Sequence, residues 1–473
     1  MKKFICLTVI LIASALATFG QNNSGIEGNW LATLEFSGMP LRIALKITKA
    51  PDGSLAATFD SLDQGAKDLR IDTITQIGRA VHFEAKQYGV DYEGTLNEKG
   101  DEISGAFKQG AGAQTLVFKR IGELPKNRRP QEPQKPYPYH EEEVFYHNAK
   151  DNIRLAGTLT FPNAAGKFPA VILITGSGSQ DRNETVFGHH PFLVLADYLT
   201  RRGIAVLRVD DRGIGGSEKG AANFTTENFA GDVLAGIEYL KTRKEINLKQ
   251  IGLIGHSEGG MIAPMVAASS KDVAFIVLLA GLGQTGEDVI YTQTELLNKA
   301  AGASPFVTAQ TTKTLKNMIP ILKSEPDDRR AEQKINEQFA NQTSGMTEEQ
   351  KKEFAPVERS LRAQMPMYLS SWFRYFINYD PRPTLKKVKI PVLALNGEND
   401  LQVAFRENLD LIASGLKAAG NRDVTVKSFP KLNHLFQTSQ TGLIGEYETI
   451  EETMSPVVLE TISSWIQART NFK

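Results

Sequence analysis

The sequence is poor in cysteine and has no surplus of either charge. Cys6 is the only cysteine, so a chain cleaved beyond it has no thiol for a disulfide, a cysteine nucleophile or a cysteine-based metal site. Lysine plus arginine and aspartate plus glutamate number 54 each. Because no positive charge is in excess, the composition argues against a polyanionic partner such as nucleic acid.

One long apolar run is present, and it lies at the start. Two lysines precede the run from Phe4 to Ala17, and small residues follow near Gly20. The run is too short for a membrane-spanning helix, and the sequence contains no second one. Residues 1–20 are therefore predicted to be a secretory signal peptide. We expect an exported protein, periplasmic or extracellular, without a membrane span after the signal is removed.

Residues 24–120 carry the pattern of a small all-β domain. Short runs of alternating apolar and polar residues are separated by turn residues such as Pro51-Asp52-Gly53, which is typical of an antiparallel barrel or sandwich. A small closed barrel either holds one apolar ligand or is filled by its own side chains as an accessory domain. The predicted strands are Trp30–Phe36, Leu41–Ile47, Leu55–Phe59, Ile71–Ile74, Ala80–Ala85, Asp91–Leu96, Glu102–Phe107 and Thr115–Lys119.

A proline-rich stretch separates this domain from the rest of the chain. Five prolines lie between Pro125 and Pro138, interleaved with charged and amide side chains. Such a composition favours extended backbone and a semi-rigid spacer. Residues 121–143 are therefore predicted to be a linker.

From residue 144 onward, buried strands alternate with amphipathic helices. Continuous apolar strands of this kind require a mostly parallel sheet covered on both faces, so residues 144–281 and 386–473 are predicted to form an α/β domain. After a hairpin of Val144–Tyr146 and Ile153–Phe161, the predicted strands are Ala170–Ile174, Ile204–Arg208, Ile251–Ile254, Phe275–Leu279, Val392–Leu395 and Val424–Phe429. The predicted helices are Phe192–Arg202, Thr226–Lys241, Met261–Ser269 and Phe405–Ala418.

Residues 282–385 form an interval too long for a simple crossover. They are rich in Lys, Glu, Gln and Thr at helical spacing. An insertion at this point lies over the carboxyl edge of the sheet, where open α/β folds bind ligands. We predict a helical cap over the active site; the alternative is a peripheral helical bundle.

The most informative motif is Gly255-His256-Ser257-Glu258-Gly259, which stands between an apolar strand and an apolar helix. In a strand–turn–helix of this type the serine backbone is strained, and the glycines relieve crowding between strand and helix. The turn presents the hydroxyl at a helix N-terminus, where the dipole favours a developing anion. Ser257 is therefore the predicted nucleophile; the alternative is a structural glycine-rich turn.

A serine nucleophile needs a base, and the base needs an orienting carboxylate. Of the seven histidines, His434 alone follows the last predicted strand and so shares the sheet edge with Ser257, whereas His256 is expected to point away from the reacting side. Asp400 follows the strand Val392–Leu395 and is the predicted acid. Glu398 is its competitor, and a helix-capping Asp400 and a turn His434 are the structural alternatives.

The oxyanion requires two backbone donors aimed at one point. One is predicted to be the N–H of Glu258, which follows the nucleophile. The other is predicted to be the N–H of Ser177, with Gly178 as second choice, in the small-residue loop Thr175–Arg182. A phosphate-binding loop is the alternative for this stretch, but it contains no lysine. Histidines 189 and 190 either line the pocket or belong to a surface loop.

With these residues in place, residues 144–468 resemble the α/β-hydrolase superfamily. The resemblance rests on the motif around Ser257, on the run Asp210–Ser217, on the turn from Gly397 to Asp400, and on Asn433-His434. Within the superfamily the chain looks like exported bacterial esterases, which are often labelled prolyl-oligopeptidase-like or dipeptidyl-aminopeptidase-like. The resemblance implies acyl transfer to water with Ser257, Asp400 and His434 in the catalytic roles, and no metal or organic cofactor. The common H-G-x-G reads Thr175-Gly176-Ser177-Gly178 here, so the resemblance does not fix the oxyanion donors.

The leading hypothesis is a serine carboxylesterase whose substrates are small-molecule esters. Aromatic residues at the end of the cap, among them Trp372 and Phe373, favour short- to medium-chain acyl groups. One alternative is a serine exopeptidase of the prolyl-oligopeptidase type, although the N-terminal domain is too small for the propeller of those enzymes. Another is a barrel-based ligand-binding protein with a relict hydrolase core. The sequence leaves the oligomeric state open.

Overall fold

The computed structural model describes residues 25–36, 39–62, 66–109, 112–124 and 128–470. The chain divides into two compact units between residues 126 and 127. The predicted signal peptide, residues 1–20, lies outside the described residues. Every helix in the described ranges is too short or too polar to cross a membrane.

The first unit is antiparallel throughout. Its strands are β1 (Gly28–Phe36), β2 (Met39–Lys49), β3 (Leu55–Ser61), β4 (Ala66–Arg70), β5 (Thr73–Ile77), β6 (Ala80–Ala85), β7 (Val90–Leu96), β8 (Glu102–Gln109) and β9 (Gly112–Ile121). Over the described part of residues 25–124 they form one sheet in the order β4-β3-β2-β1-β9-β8-β7-β6-β5. Alternate side chains from one face, including Trp30, Phe83, Tyr92 and Phe118, meet in a single core. The unit is therefore one continuous sheet around one core.

Each predicted run of the first unit overlaps a strand, but β4 was not predicted. Its sequence, Ala-Lys-Asp-Leu-Arg, lacks the alternation of a half-buried strand because its side chains are partly or fully exposed. β4 lies at the edge of the sheet, where it pairs with β3. Hydrophobic alternation does not mark such an edge strand.

The second unit is built on a mixed sheet. Its strands are β10 (Tyr139–Asn148), β11 (Ile153–Pro162), β12 (Phe168–Ile174), β13 (Ala205–Val209), β14 (Ile246–His256), β15 (Phe275–Leu279), β16 (Val392–Gly397) and β17 (Val424–Phe429). Their order is β10-β11-β13-β12-β14-β15-β16-β17. The β10–β11 and β11–β13 pairs are antiparallel, and the remaining pairs are parallel. This is the mostly parallel sheet of an α/β-hydrolase.

Helices cover both faces of this sheet, as continuous apolar strands require. Helices α2 (Thr226–Lys241), α3 (Gly259–Ser269) and α11 (Phe405–Ala418) share one hydrophobic core with it. Helices α1 (Pro191–Thr200) and α12 (Pro456–Thr470) share the core on the other face. Because β12 to β17 run parallel, their carboxyl ends lie at one edge of the sheet, where the loops that follow β12, β14, β16 and β17 come together.

Residues 282–385 form a helical insertion between β15 and β16. It contains α4 (Gly286–Ala300), α5 (Pro305–Ser324), α6 (Asp328–Ser344), α7 (Glu348–Ala363), α8 (Met365–Tyr368), α9 (Ser371–Asn378) and α10 (Arg382–Leu385). These helices pack around their own core, which also includes Met261 of α3 and Val403 of the loop after β16. The insertion is therefore packed against the edge that carries the nucleophile motif.

The predicted linker, residues 121–143, needs correction at its C-terminal end. β10 begins at Tyr139, five residues before the predicted start of the α/β domain at residue 144. Before β10, the Arg129 guanidinium donates hydrogen bonds to backbone carbonyls of Gly188, Glu448 and Ile450. Proline content predicts extended backbone but not whether that backbone is packed, and here it is fastened to the second unit.

Candidate active site

Ser257 lies at the sharp turn between β14 and α3. Its backbone φ is +53°, a left-handed conformation that costs free energy for a residue with a side chain. The Ser257 N–H donates to the carbonyl of Leu279 at 2.8 Å. The neighbouring strand β15 therefore holds the strained residue in place.

The glycines of the motif are required by close packing. A side chain on Gly255 would collide with the carbonyl of Gly259, and one on Gly259 would collide with the carbonyl of Ile174 at the end of β12. A side chain on Gly260 would collide with the backbone of Gly281. The turn can thus form only where these positions lack a Cβ.

His434 and Asp400 form a buried pair. The Nδ1 of His434 lies 2.8 Å from Oδ2 of Asp400, and the two side chains are 6% and 0% exposed. The other oxygen of Asp400 accepts the N–H groups of Gln402 and Val403. Asp400 therefore orients His434, and the N–H groups of its own turn hold Asp400 in place. The competitor Glu398 instead accepts a hydrogen bond from the Ser428 hydroxyl at 2.8 Å.

The loops that carry Asp400 and His434 are fastened to each other. Asn399 N–H donates to the carbonyl of Leu432 at 2.9 Å, and a side chain on Gly397 would collide with that same carbonyl. Buried Asn433 accepts the N–H groups of Leu435 and Gln437. Local hydrogen bonds therefore set the position of the histidine loop.

Ser257 and His434 line one cavity of about 410 Å³. Within the described part of the chain, neither the Ser257 hydroxyl nor Nε2 of His434 has a hydrogen-bond partner. Hydrogen bonds between nucleophile and base are often long in unliganded enzymes and shorten in the substrate complex. The structure thus places Ser257 and His434 at one cavity, and Asp400 lies behind His434 on its Nδ1 side.

The loop after β12 supplies a candidate oxyanion donor beside Ser257. Gly176 N–H is already used, because it donates to Oε1 of Glu184 at 2.7 Å. Among the described hydrogen bonds, none begins at the N–H of Ser177 or of Glu258. Both predicted donors are therefore free to bind an oxyanion. The loop also lies close to the nucleophile, since a side chain on Gly176 would press against the Cβ of Ser257.

Asp211 holds both ends of this loop. Its carboxylate accepts the Thr175 hydroxyl at 3.0 Å and the Gln180 N–H at 2.9 Å, and its own N–H donates to the Gln180 carbonyl. Burial, together with the nearby carboxylates of Glu258 and Asp232, raises the pKa of Asp211 to about 8. The neighbouring Asp210 instead binds the guanidinium of Arg182.

The side chain of Glu258 is tied to the helical insertion. Its buried carboxylate accepts Nε1–H of Trp372 at 2.9 and 3.0 Å and the Thr226 hydroxyl at 2.7 Å. Burial raises the pKa of Glu258, although these hydrogen bonds act in the opposite direction. The residue whose N–H is a predicted oxyanion donor is thus anchored by α9 and α2.

The walls of the cavity come from both the sheet edge and the insertion. The insertion contributes mainly apolar side chains, among them Val289, Ile290, Met367, Trp372, Phe373 and Phe376. A second cavity of about 260 Å³ adjoins it and shares Met367 and Trp372. The cavity therefore has an apolar side facing a polar side that carries Ser257 and His434.

His256 differs from the expectation that it points away from the reacting side. It lines the cavity, and its ring centroid lies 4.7 Å from that of His434. Its ring nitrogens contact Glu184 and the His434 backbone. The sequence did not single out Glu184, which follows the small-residue loop without any motif of its own.

The adjacent histidines 189 and 190 do not line this cavity. His189 is buried, where its ring contacts the Thr453 hydroxyl and the Tyr447 carbonyl. Burial lowers the pKa of His189 to about 4. His190 pairs with Glu132 at 2.6 Å, so both residues connect α1 to neighbouring segments.

Comparisons with known proteins find a curated relative and several solved structures that are similar to part of this chain. The chain is 27% identical over 281 residues to esterase EstD of Thermotoga maritima, an alignment that covers 59% of this chain and 58% of that relative. The chain thus spans less than two thirds of the relative it matches. Among solved structures, the α/β-hydrolase GrgF of Penicillium sp. sh18 is 17% identical, with 70% of this chain and 97% of that chain covered and a TM-score of 0.42. An esterase of Pyrococcus furiosus is 16% identical, with 74% and 98% covered and a TM-score of 0.41.

The family comparison extends over more than half of the 473 residues. Residues 151–422 match the family described as X-Pro dipeptidyl-peptidase, S15. The matched range contains the motif around Ser257, the loop after β12, the helical insertion and Asp400. The chain belongs to the X-Pro dipeptidyl-peptidase (S15) family.

Proposed function

We propose that the protein is a serine carboxylesterase acting on short- to medium-chain acyl esters. The observation that carries the proposal is the shared cavity of a strained Ser257 and a His434 that is paired with Asp400. A serine hydroxyl acquires nucleophilic reactivity in this setting because the imidazole accepts its proton. The relative EstD, an esterase by name, supports the same activity.

The proposed reaction proceeds through an acyl-enzyme. His434 removes the Ser257 proton as the hydroxyl oxygen attacks the ester carbonyl, and Asp400 stabilises the imidazolium that forms. The N–H groups of Ser177 and Glu258 bind the oxyanion. Collapse expels the alcohol, which takes the proton from His434. A water molecule, activated by the same imidazole, then releases the carboxylic acid and regenerates Ser257.

The preference for modest acyl chains rests on the cavity. Its volume of about 410 Å³ and its apolar insertion side suit an acyl group of a few carbons, since ligand pockets of this size enclose small molecules. Trp372 and Met367 separate it from the adjoining cavity. They therefore limit how far a longer chain extends.

Peptidase activity is the second candidate because the family is described by an X-Pro dipeptidyl-peptidase. Release of a dipeptide requires an acidic group for the substrate's ammonium. Among the described residues lining the cavity, Glu184 is the carboxylate, and it already accepts hydrogen bonds from Gly176 and His256. This engagement favours an ester over a peptide substrate.

A comparison of ester and anilide hydrolysis tests the proposal. We expect the purified protein to hydrolyse p-nitrophenyl acetate and butyrate, and alanyl-prolyl-p-nitroanilide slowly or not at all. Ser257→Ala is expected to lower kcat by about 10⁴-fold or more. Faster turnover of the anilide would favour the peptidase, and equal activity of the Ser257→Ala protein would contradict a serine hydrolase. Absence of both activities, with a ligand retained by the first unit, would favour the binding protein.

We further propose that the protein is exported. The support is the signal-like sequence of residues 1–20, in which two lysines precede a short apolar run. Expression of the full chain in a bacterium and recovery of a shortened protein from the periplasm or medium would agree with this. An uncleaved protein in the cytoplasm would contradict it.

A further inference from the structure

A second carboxylate–histidine pair lies beside the proposed catalytic residues. Nδ1 of His256 is 2.9 Å from Oε1 of Glu184, and Nε2 of His256 is 3.0 Å from the backbone oxygen of His434. The two side chains are 8% and 5% exposed. The pair is therefore enclosed by protein, and the proposed mechanism does not use it.

The contacts of His256 fix its protonation. A backbone carbonyl oxygen only accepts hydrogen bonds, and so does an ionised carboxylate. With an acceptor at each ring nitrogen, both nitrogens carry a proton, and the ring is an imidazolium. Burial by itself lowers the pKa of His256, but Glu184, with the His434 carbonyl and Asp400, outweighs it and leaves that pKa raised.

The same contacts exclude His256 as the base for Ser257. A general base needs a ring nitrogen with a free lone pair, and neither nitrogen of His256 has one. His434, in contrast, has Nδ1 on Asp400 and no partner for Nε2 among the described residues. The division of roles between the two neighbouring rings follows from their hydrogen bonds.

The pair connects three separate segments of the site. Oε1 of Glu184 also accepts the N–H of Gly176 at 2.7 Å, next to the predicted oxyanion donor Ser177. His256 directly precedes Ser257 in the chain, and its Nε2 holds the backbone of His434. One ion pair thus contacts the oxyanion loop, the nucleophile turn and the histidine loop.

We propose that Glu184 and His256 form a carboxylate–imidazolium pair that positions the oxyanion loop and the general base. The inference rests on the ester hydrolysis proposed above. Neither residue takes part in proton transfer; they are positioning residues.

The charge itself is tested on the unaltered protein. Nuclear magnetic resonance of ¹⁵N-histidine-labelled protein is expected to show one ring that keeps both protons at about pH 8. His256→Gln should remove this signal, and Glu184→Gln should convert it to a singly protonated ring. A wild-type spectrum in which every ring is singly protonated at that pH would overturn the proposal, and this measurement requires no variant to fold.

Kinetics test the positioning role. Glu184→Gln and His256→Gln are each expected to lower kcat for p-nitrophenyl butyrate by about 10- to 100-fold, with KM nearly unchanged, because misplacement acts on the transition state. The double variant should lose no more than the worse single variant, because both changes break one unit. His82→Gln is the matched control, since His82 pairs with Asp91 at 3.0 Å at the surface of the first unit, and it should leave kcat unchanged.

The split between kcat and KM separates positioning from a merely structural role. A variant that is only less stable keeps the wild-type kcat when it is assayed at a temperature at which it is folded, whereas a misplaced loop and base lower kcat and leave KM nearly unchanged. Wild-type kcat in both folded variants would overturn the inference. If Ser257→Ala stays active, the proposed function fails instead, whatever the histidine spectrum shows.

Discussion

The proposed active site has an acid–base side, with Asp400 and His434, and an oxyanion side, with the N–H groups of Ser177 and Glu258, and the two are held in different ways. On the acid–base side, Asp400 is fixed by the N–H groups of its own turn, and Asn433 folds the loop of His434. On the oxyanion side, the supporting side chains come from distant segments. Asp211 holds the ends of the loop after β12, and Trp372 of the insertion holds Glu258.

This difference has a chemical reason. The acid–base side must fix one ring, and short turns supply most of its support; His256 adds one contact from the nucleophile turn to the His434 carbonyl. The oxyanion side must aim two backbone N–H groups from different loops at one point. Each of those loops needs its own hydrogen bonds. Asp211 supplies them for the loop after β12, and Trp372 supplies one for Glu258. The oxyanion side should therefore respond to changes far from the chemistry.

The largest effect is expected on the acid–base side, from Asp400→Asn. The amide cannot hold the His434 tautomer or stabilise its cation, so kcat should fall by about 10³- to 10⁴-fold with little change in KM. The measurement is steady-state hydrolysis of p-nitrophenyl butyrate. Glu398→Gln is the matched control, because Glu398 lies two residues away on the Ser428 hydroxyl. A similar loss in both variants would contradict the assignment.

The fold was predicted well where helices have a clear amphipathic period. Helices α2 and α11 begin and end at the predicted residues, Thr226–Lys241 and Phe405–Ala418, because their amphipathic period is clear and polar turns bound them. β4 was missed because an edge strand with exposed side chains has no hydrophobic alternation. The end of the linker was misplaced because proline reports backbone conformation and not packing.

The residues of the site also differ in how far the sequence predicts them. Ser257, Asp400 and His434 stand in short motifs after strands, so their meeting at one sheet edge follows from the fold. Glu184 has no such signal, and Asp211 stands in the run Asp210–Ser217, which does not show which loop its carboxyl group holds. Their roles depend on which loop lies opposite a carboxylate in three dimensions, and a single sequence does not contain that information.

On the oxyanion side, Asp211→Ala should reduce kcat more than it changes KM. Without the carboxylate, the Thr175 hydroxyl and the Gln180 N–H lose their acceptor, and the loop that carries Ser177 is no longer closed. We expect a loss of about 10- to 100-fold in kcat. Comparison with Asp272→Ala, where the carboxylate binds only Lys241 near the surface in the described hydrogen bonds, provides the control. Unchanged kcat in both variants would show that the loop keeps its conformation without the Asp211 side chain.

The same residue predicts a pH dependence of stability. The pKa of Asp211 is raised to about 8 from an ordinary value of 3.8, so the folded protein keeps a proton that the unfolded chain has lost. Its stabilising contribution is complete below about pH 4 and is lost as the pH rises to about 8. Asp211→Asn removes this dependence, by up to about 1.4 kcal/mol per pH unit. Urea unfolding at several pH values would reveal it as a difference in slope; equal slopes would contradict the raised pKa.

The smallest effect is expected from Trp372→Phe, which tests whether the insertion supports the oxyanion side. Phenylalanine keeps a smaller aromatic ring but removes the N–H that reaches both oxygens of Glu258. The carboxylate then keeps the Thr226 hydroxyl, so we expect kcat to fall by about 3- to 10-fold. A lost hydrogen bond to a charged group should also cost about 1.5–3 kcal/mol of stability.

Trp465→Phe is the matched control for this change. Its Nε1–H donates to the Thr425 hydroxyl at 3.1 Å, between α12 and β17, away from the residues that line the cavity. This variant should lose some stability without a change in kcat. If the two variants lower kcat equally, the effect is one of general stability. If only Trp372→Phe lowers kcat, and lowers it equally for the acetate and the butyrate ester, the effect comes from the lost hydrogen bond to Glu258 and not from the changed cavity wall, and a helix of the insertion helps to hold the proposed oxyanion donor.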